Sequence, residues 1–200
     1  MSGGARLAMR PEGLAGRLFG KVVEAMNAPS YRLAIQMIDP APHEHVLEVG
    51  FGTGRLAELL IERLPRGRVA GVDPTETMVE VARERPGIRR AGDRVDLRCG
   101  DASRLPWPDA SFDAVAALHC FQFWPDPEAG LREARRVLRP NGRLALILRE
   151  HGTSPPAWLP NPISRSPDEI AGTEACLLAA GFRPRAFDPI RRTAILATAS

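Results

Sequence analysis

Val46-Leu47-Glu48-Val49-Gly50-Phe51-Gly52-Thr53-Gly54 runs from an apolar segment into three glycines at alternate positions. The first half, His45 to Val49, is short, apolar and partly β-branched, and reads as a buried strand. Arg55 to Leu64 then carries the apolar spacing of an amphipathic helix. A strand that ends in glycines and feeds a helix brings bare backbone N–H groups and a positive helix end to one spot. Such a spot suits a nucleotide, or an adenosyl group carrying a carboxylate. Glycine is required where a side chain would block a ligand or where φ must be positive. The spacing is G-x-G-x-G with an acid, Glu48, two residues ahead of the first glycine. It is not the G-x-G-x-x-G of dinucleotide binders, which argues against a nicotinamide-dependent enzyme. The alternative is a tight turn with a purely structural role.

Working outward, a second apolar strand, Val69 to Asp73, also ends in an acid. Asp73 lies about twenty residues beyond the glycine turn, where an acid on the adjacent strand meets a ribose in sites of this kind. A carboxylate accepts hydrogen bonds from both ribose hydroxyls at once. The competing role is a cap for the helix that follows, since Pro74 suits a first helical position. That helix is expected over Thr75 to Arg85, followed by a polar linker through Asp93. A third strand, Val95 to Cys99, leads into Gly100-Asp101-Ala102. Phe112 to Leu118 is a continuous run of small apolar residues, as in a central parallel strand covered on both faces. It runs into His119-Cys120-Phe121-Gln122-Phe123-Trp124. Pro125-Asp126-Pro127 opens a helix to Leu138, Arg139 to Gly142 reads as a turn, and Arg143 to Leu148 as a fifth strand. A helix beginning at Ser166 ends by Gly181. Phe182 to Phe187 and Thr193 to Thr198 read as an antiparallel pair at the sheet edge.

Ahead of the first strand, helical spacing over Leu14 to Met26 and again over Tyr31 to Ile38 predicts two amphipathic helices broken at Asn27-Ala28-Pro29-Ser30. They either pad the sheet or lid the ligand site, with Tyr31 as the candidate lid residue. The chain thus divides into an N-terminal helical segment, 1–40, and an α/β domain, 41–200. Strand–helix alternation followed by a hairpin predicts a single three-layer α/β/α sandwich.

The 200 residues, 44% of them hydrophobic, suffice for one full core. The formal charge is +3, and the basic residues are nearly all arginines scattered among 24 acids. No long basic block appears, which argues against a nucleic-acid partner. Cys99, Cys120 and Cys176 are odd in number and far apart, with no C-x-x-C, which argues against a disulfide framework and against a zinc site. No apolar run approaches the ~20 residues of a membrane span, and Met1 to Arg10 lacks a signal core. A reduced, cytoplasmic setting is expected.

Together these blocks resemble the Rossmann-like S-adenosylmethionine-dependent methyltransferases, in particular the small-molecule branch of the ubiquinone/menaquinone-biosynthesis type. The resemblance covers about residues 20 to 199. It is carried by Val46 to Gly54, Gly71-Val72-Asp73-Pro74-Thr75 and Gly100-Asp101-Ala102. It continues in Leu105-Pro106-Trp107-Pro108-Asp109, Ser111-Phe112-Asp113-Ala114-Val115, Trp124-Pro125-Asp126-Pro127 and Arg135 to Leu144. It implies a mostly parallel seven-stranded sheet with its last strand antiparallel, and S-adenosyl-L-methionine as cofactor. The turn Gly50, Phe51, Gly52 and Gly54 would face the methionine part, with Glu48 near its ammonium. Asp73 would take the ribose hydroxyls and Asp101 the adenine amino group, with the Ala102 N–H beside the ring. Pro74, Thr75 and Met78 would pack near the adenosine, and Leu118 and His119 would line the methyl-donor end.

Methyl transfer from a sulfonium is an in-line displacement, so the protein chiefly aligns donor and acceptor and excludes water. A base helps a hydroxyl nucleophile and is unnecessary for an acidified carbon or a free amine. His119 is the candidate catalytic base, with His151 a weaker one, and a packing role for His119 is equally compatible with the sequence. His119-Cys120-Phe121-Gln122 stands where nucleic-acid and protein N-methyltransferases of this fold carry an Asn/Asp-Pro-Pro-aromatic segment. No acid cluster matches the metal-dependent catechol type, so no metal is expected. Tyr31, Phe123 and Trp124 are the candidate acceptor residues, with Trp158 as a further aromatic, and an apolar or aromatic small molecule is the expected acceptor. The aromatics would otherwise close the core. The loop 151–167 is short, leaving the acceptor side to the N-terminal helices or to a second subunit of a homo-oligomer. The rival function is a cofactor-binding protein of the same fold without transferase activity.

Overall fold

The computed structural model describes residues 13–148, 167–186 and 194–199. Seven strands form one sheet in the order β3-β2-β1-β4-β5-β7-β6. The strands are β1 (His45–Val49), β2 (Arg68–Asp73), β3 (Val95–Cys99), β4 (Phe112–Leu118), β5 (Leu138–Ile147), β6 (Phe182–Ala186) and β7 (Ala194–Ala199). β1 to β5 are mutually parallel, and β7 runs antiparallel to both β5 and β6. The expected sheet, its antiparallel last strand and the terminal hairpin are all present, with β6 at the edge.

Period-2 alternation assigns each strand's side chains to two cores. Val46, Val69, Ala114, Ala116 and Ala145 join one core with the helices α1 (Gly13–Ile38), α2 (Arg55–Arg63) and α3 (Glu76–Arg83). Leu47, Val49, Val115, Ala117, Leu144 and Leu146 join the other with α5 (Pro127–Val137) and α6 (Pro167–Ala179). Helices therefore cover both faces, as a parallel sheet requires. The strand order reverses between β1 and β4, and ligands of open α/β sheets bind at the carboxyl ends of the strands flanking such a reversal. The glycine turn follows β1, and His119 follows β4.

Three local expectations need correction. The two N-terminal helices are one, Gly13–Ile38, with Pro29 inside it. Pro29 removes one backbone donor, but Asn27 is buried and Ser30 bonds to His119 across the site, so tertiary contacts on either side of the proline hold the helix continuous. Ala34, Ile35, Met37 and Ile38 pad the sheet, as one of the two expected roles required. The polar linker after α3 contains a short helix, α4 (Pro86–Ala91), which opens on proline and buries Ile88. The turn Arg139 to Gly142 lies within β5, whose pairing jumps from Phe112↔Leu138 to Ala114↔Arg143 with Asn141 at φ 62°. His151 and Trp158 lie outside the described residues.

Arg136 holds the Leu105 to Asp109 loop against α5. Its guanidinium donates to the Leu105 and Trp107 carbonyls at 3.0 and 2.8 Å and pairs with Glu133 and Asp109. The Trp107 indole donates to Asp96 at 3.0 Å and meets Phe112 edge-on. That block of the sequence is thus a structural clamp.

Candidate functional site

The glycine turn is built from three glycines with three different reasons to be glycine. Gly50, Gly52 and Gly54 have φ of 72°, 52° and 74°, the left-handed region that L side chains enter at a cost of about 1–2 kcal/mol. A Cβ on Gly50 would lie 2.5 Å from Cys120 Cβ, and one on Gly54 would lie 2.6 Å from Ala82 Cβ. A Cβ on Gly52 would meet nothing within 4 Å. Of the three, only Gly52 has open space where its Cβ would project. The Phe51 ring is buried in the core, where it lies against the backbone of Gly71. Only its backbone is left to serve the turn.

Glu48 is 3% exposed. Its carboxylate accepts from the Ala57 N–H in the first turn of α2, where Gly54 at the N-cap has no side chain to offer. Its Oε2 is buried and has no hydrogen-bond partner. Burial, with the nearby Asp73 charge, pushes the Glu48 carboxyl up to about 8 against the helping effects of the Ala57 N–H and Arg85.

Asp73 Oδ2 accepts from the Gly52 N–H at 2.8 Å, and Oδ1 accepts from the Thr75 N–H at 3.1 Å and hydroxyl at 2.7 Å. Burial raises the Asp73 carboxyl above its ordinary range against those bonds. At two acceptor sites per oxygen, Oδ1 is full and Oδ2 keeps one. Asp73 braces Thr75, the residue before α3, and retains an acceptor beside the turn. Asp101 Oδ1 accepts from the Ser103 N–H and hydroxyl at 2.8 and 2.7 Å, leaving Oδ2 outside that turn. Ala102, Thr75 and Met78 are buried, whereas Pro74 is exposed. Met78 belongs to the helix-side core.

The other wall is the end of β4. Leu118 is buried and His119 has φ 52°. The His119 N–H donates to the Ile147 carbonyl at 2.8 Å, and its carbonyl accepts from Gln122 Nε2 at 2.8 Å. Its ring Nε2 lies 2.8 Å from Ser30 Oγ of α1. Tyr31, half-buried, bonds Asn27, and burial, with the charges of Glu48 and Glu24, raises its phenol. Phe123 is half-buried. Trp124, expected at the acceptor, packs edge-on against Phe121 and over Gly130, where a Cβ would lie 2.4 Å from its ring; it belongs to the core.

Sequence reasoning missed one cluster. Arg85 donates to Glu24 of α1 at 3.0 Å, to Glu58 of α2 at 2.8 Å and to the Thr53 carbonyl at 3.3 Å. Thr53 Oγ1 also donates to Glu24 at 2.9 Å. The cluster ties α1 to the glycine turn. Its members lie far apart in sequence and follow no periodic pattern, so no local signal marks them.

The residues present fit S-adenosylmethionine. Glu48 Oε2, buried without a partner, and the remaining acceptor site of Asp73 Oδ2 are groups that a ligand's ammonium and hydroxyl could bond. Gly52 leaves room on the turn, and Asp101 offers an acceptor just beyond β3.

Comparison with known proteins agrees. The chain is 44% identical over 102 residues to the demethylmenaquinone methyltransferase of Deinococcus radiodurans, covering 51% of this chain and 42% of that one. It is 41% identical over 123 residues to the 27-O-demethylrifamycin SV methyltransferase of Amycolatopsis mediterranei, covering 62% and 44%. The chain thus spans less than half the length of these two curated relatives. Among solved structures, the [4+2]-cyclase SpnF matches with a TM-score of 0.66 at 29% identity, over 78% of this chain and 58% of that one. Residues 47–146, half of the chain, match the model of a methyltransferase domain. The chain belongs to the methyltransferase domain family.

Proposed function

We propose that this chain transfers a methyl group from S-adenosylmethionine to a small-molecule acceptor. The observation that carries the reading is the buried Glu48 Oε2, on the strand that leads into the glycine turn, which lacks a hydrogen-bond partner. A buried carboxylate oxygen left unbonded is unfavourable unless a ligand donor completes it. S-adenosylmethionine supplies a methyl group already activated on a sulfonium. Glu48 receives the ligand's ammonium, and the remaining acceptor site of Asp73 Oδ2 takes a ribose hydroxyl. Asp101 Oδ2 and the Ala102 N–H bracket the adenine. Leu118 and His119 close the donor end, and Tyr31 and Phe123 border the acceptor. His119 accepts the proton where the acceptor is a hydroxyl.

A small-molecule acceptor is supported by the names of the relatives, which specify a menaquinone precursor and a rifamycin. Since a solved structure of this fold is named a cyclase, fold membership alone does not carry the chemistry. Among the described residues no helix is long and apolar enough to cross a membrane. The three cysteines are free thiols, which supports a reducing, cytoplasmic setting.

Calorimetry with S-adenosylhomocysteine on wild type and Asp73→Ala tests the reading. Wild-type binding with a loss of tenfold or more in the variant is expected, roughly the worth of one charge-assisted hydrogen bond. No binding by wild type overturns the function. Unchanged binding by the variant overturns only the role of Asp73.

A further inference from the structure

We propose that Ser30 is a positioning residue that fixes the imidazole of His119 in one orientation. The inference rests on the reading of His119 as the base and deepens it. The backbone of His119 is held on both sides, by its N–H to the Ile147 carbonyl at 2.8 Å and its carbonyl to Gln122 Nε2 at 2.8 Å. It is also held at φ 52°, a conformation that a residue other than glycine adopts only where its surroundings enforce it. The backbone being set, the remaining freedom is rotation of the ring. Ser30 Oγ, 2.8 Å from Nε2, removes it.

The serine is itself anchored. It follows Pro29 on α1, between the apolar docking of Ala34 to Ile38 and the tie from Glu24 to Arg85 and Thr53. A hydroxyl has a property that a carbonyl or an ammonium lacks. By rotating, it donates to an unprotonated imidazole nitrogen and accepts from a protonated one. Ser30 therefore holds the ring in the same place whether or not it carries the extra proton. A group that takes up a proton and returns it needs such a partner.

The test is the set of nuclear Overhauser contacts of the His119 ring protons, which report ring orientation, at about pH 5 and about pH 8. It is recorded for wild type, Ser30→Ala and Ser30→Thr, with His119→Gln to assign the signals. Wild type and Ser30→Thr are expected to share one pattern of contacts at both pH values. In Ser30→Ala the population of that orientation relative to the others is expected to fall roughly fivefold, the effect of one hydrogen bond. A wild-type pattern in Ser30→Ala, or a Ser30→Thr that matches Ser30→Ala, overturns the assignment. Calorimetry with S-adenosylhomocysteine on the same samples keeps the two readings apart. Failure of wild type to bind removes the proposed function, while the spectra alone decide the role of Ser30.

Discussion

Asp73 Oδ2 receives the Gly52 N–H at 2.8 Å, so the acid ending β2 orients the one glycine of the turn whose missing side chain leaves open space. Of the three glycines, Gly50 and Gly54 are packed against the protein and Gly52 is not.

Gly52→Ala pays about 1–2 kcal/mol of left-handed strain and projects a methyl into the ligand space. Gly50→Ala adds a backbone-anchored clash with Cys120 to the same strain, and Gly54→Ala adds one with Ala82. Thermal unfolding should show Gly50→Ala and Gly54→Ala destabilised by several kcal/mol, roughly the range of overpacked cores plus strain. Gly52→Ala should stay within about 2 kcal/mol of wild type. Its affinity for S-adenosylhomocysteine, measured by calorimetry, should nevertheless fall at least tenfold, about 1.4 kcal/mol.

Glu48 gives the apoprotein a pH dependence with a definite sign. Its folded value of about 8 lies above the ordinary 4.5, so the folded state holds a proton that the unfolded state has lost between those pH values. Its contribution to stability is present below about 4.5 and is lost as pH rises through 8. The amplitude is on the order of a few kcal/mol, from 1.36 kcal/mol per unit. Urea unfolding between pH 5 and 8.5 should show this decline, and Glu48→Gln should flatten it. A cationic ligand group favours the ionised form, so S-adenosylhomocysteine binding near pH 7 should release protons from wild type and fewer from Glu48→Gln. Calorimetry in buffers of different ionisation enthalpy measures that release.

What the sequence carried and what it hid follow from the range of the forces involved. β1 and β4 were legible to the residue because each is a largely apolar run bounded by turn residues, and β3 because Val95, Leu97 and Cys99 alternate with Asp96 and Arg98. The acids at the ends of β1 and β2 were legible because strand ends and their spacing are local. The continuity of α1 was not, since Pro29 is a local breaking signal outweighed by contacts to distant residues. α4 was hidden because six residues with one buried isoleucine carry no periodicity. Trp124 looks like an acceptor residue in sequence, and only Gly130 beneath its ring reveals it as core.

Arg85 should govern how tightly α1 holds the glycine turn. Its partners Glu24 and Glu58 lie below the ordinary carboxylate range: burial pushes both up, but the Arg85 hydrogen bonds and charge more than offset it, helped by Thr53 at Glu24 and by the Gly87 N–H and Arg55 at Glu58. Their stabilisation is present above about 4.5, the ordinary value, and is lost as pH falls through the lowered values. Arg85→Met removes the cation and leaves both acids. For a half-buried cluster the loss should be about 1–3 kcal/mol, below the full penalty of a dry ion pair. Hydrogen exchange should quicken most in α1 around Glu24 to Tyr31 and least around Ala34 to Ile38, which apolar contacts hold. Uniform quickening along the helix would refute the division.

Cys120 should be the least reactive of the cysteines. Its thiol donates to the Val49 carbonyl at 3.0 Å and lies against Gly50, and burial, with the charges of Asp73 and Glu48, pushes it up to about 12. At pH 8 roughly one thiol in 10⁴ is then ionised, and the thiolate is the reactive form. Cys99 is exposed, at the end of the edge strand β3. A thiol-disulfide reagent at pH 8 should modify Cys99 in the folded protein and Cys120 only after denaturant is added, as mapped by mass spectrometry of the labelled peptides. Cys120→Ala frees the space into which a Cβ on Gly50 would project, because the Sγ 2.9 Å from that position is removed, although the Cβ at 2.5 Å remains. The double variant Gly50→Ala/Cys120→Ala should therefore recover part of the stability lost in Gly50→Ala, and Gly50→Ala/Cys120→Gly more of it. No recovery in either double variant would mean that the positive φ, and not the approach of Cys120, is what requires glycine after β1.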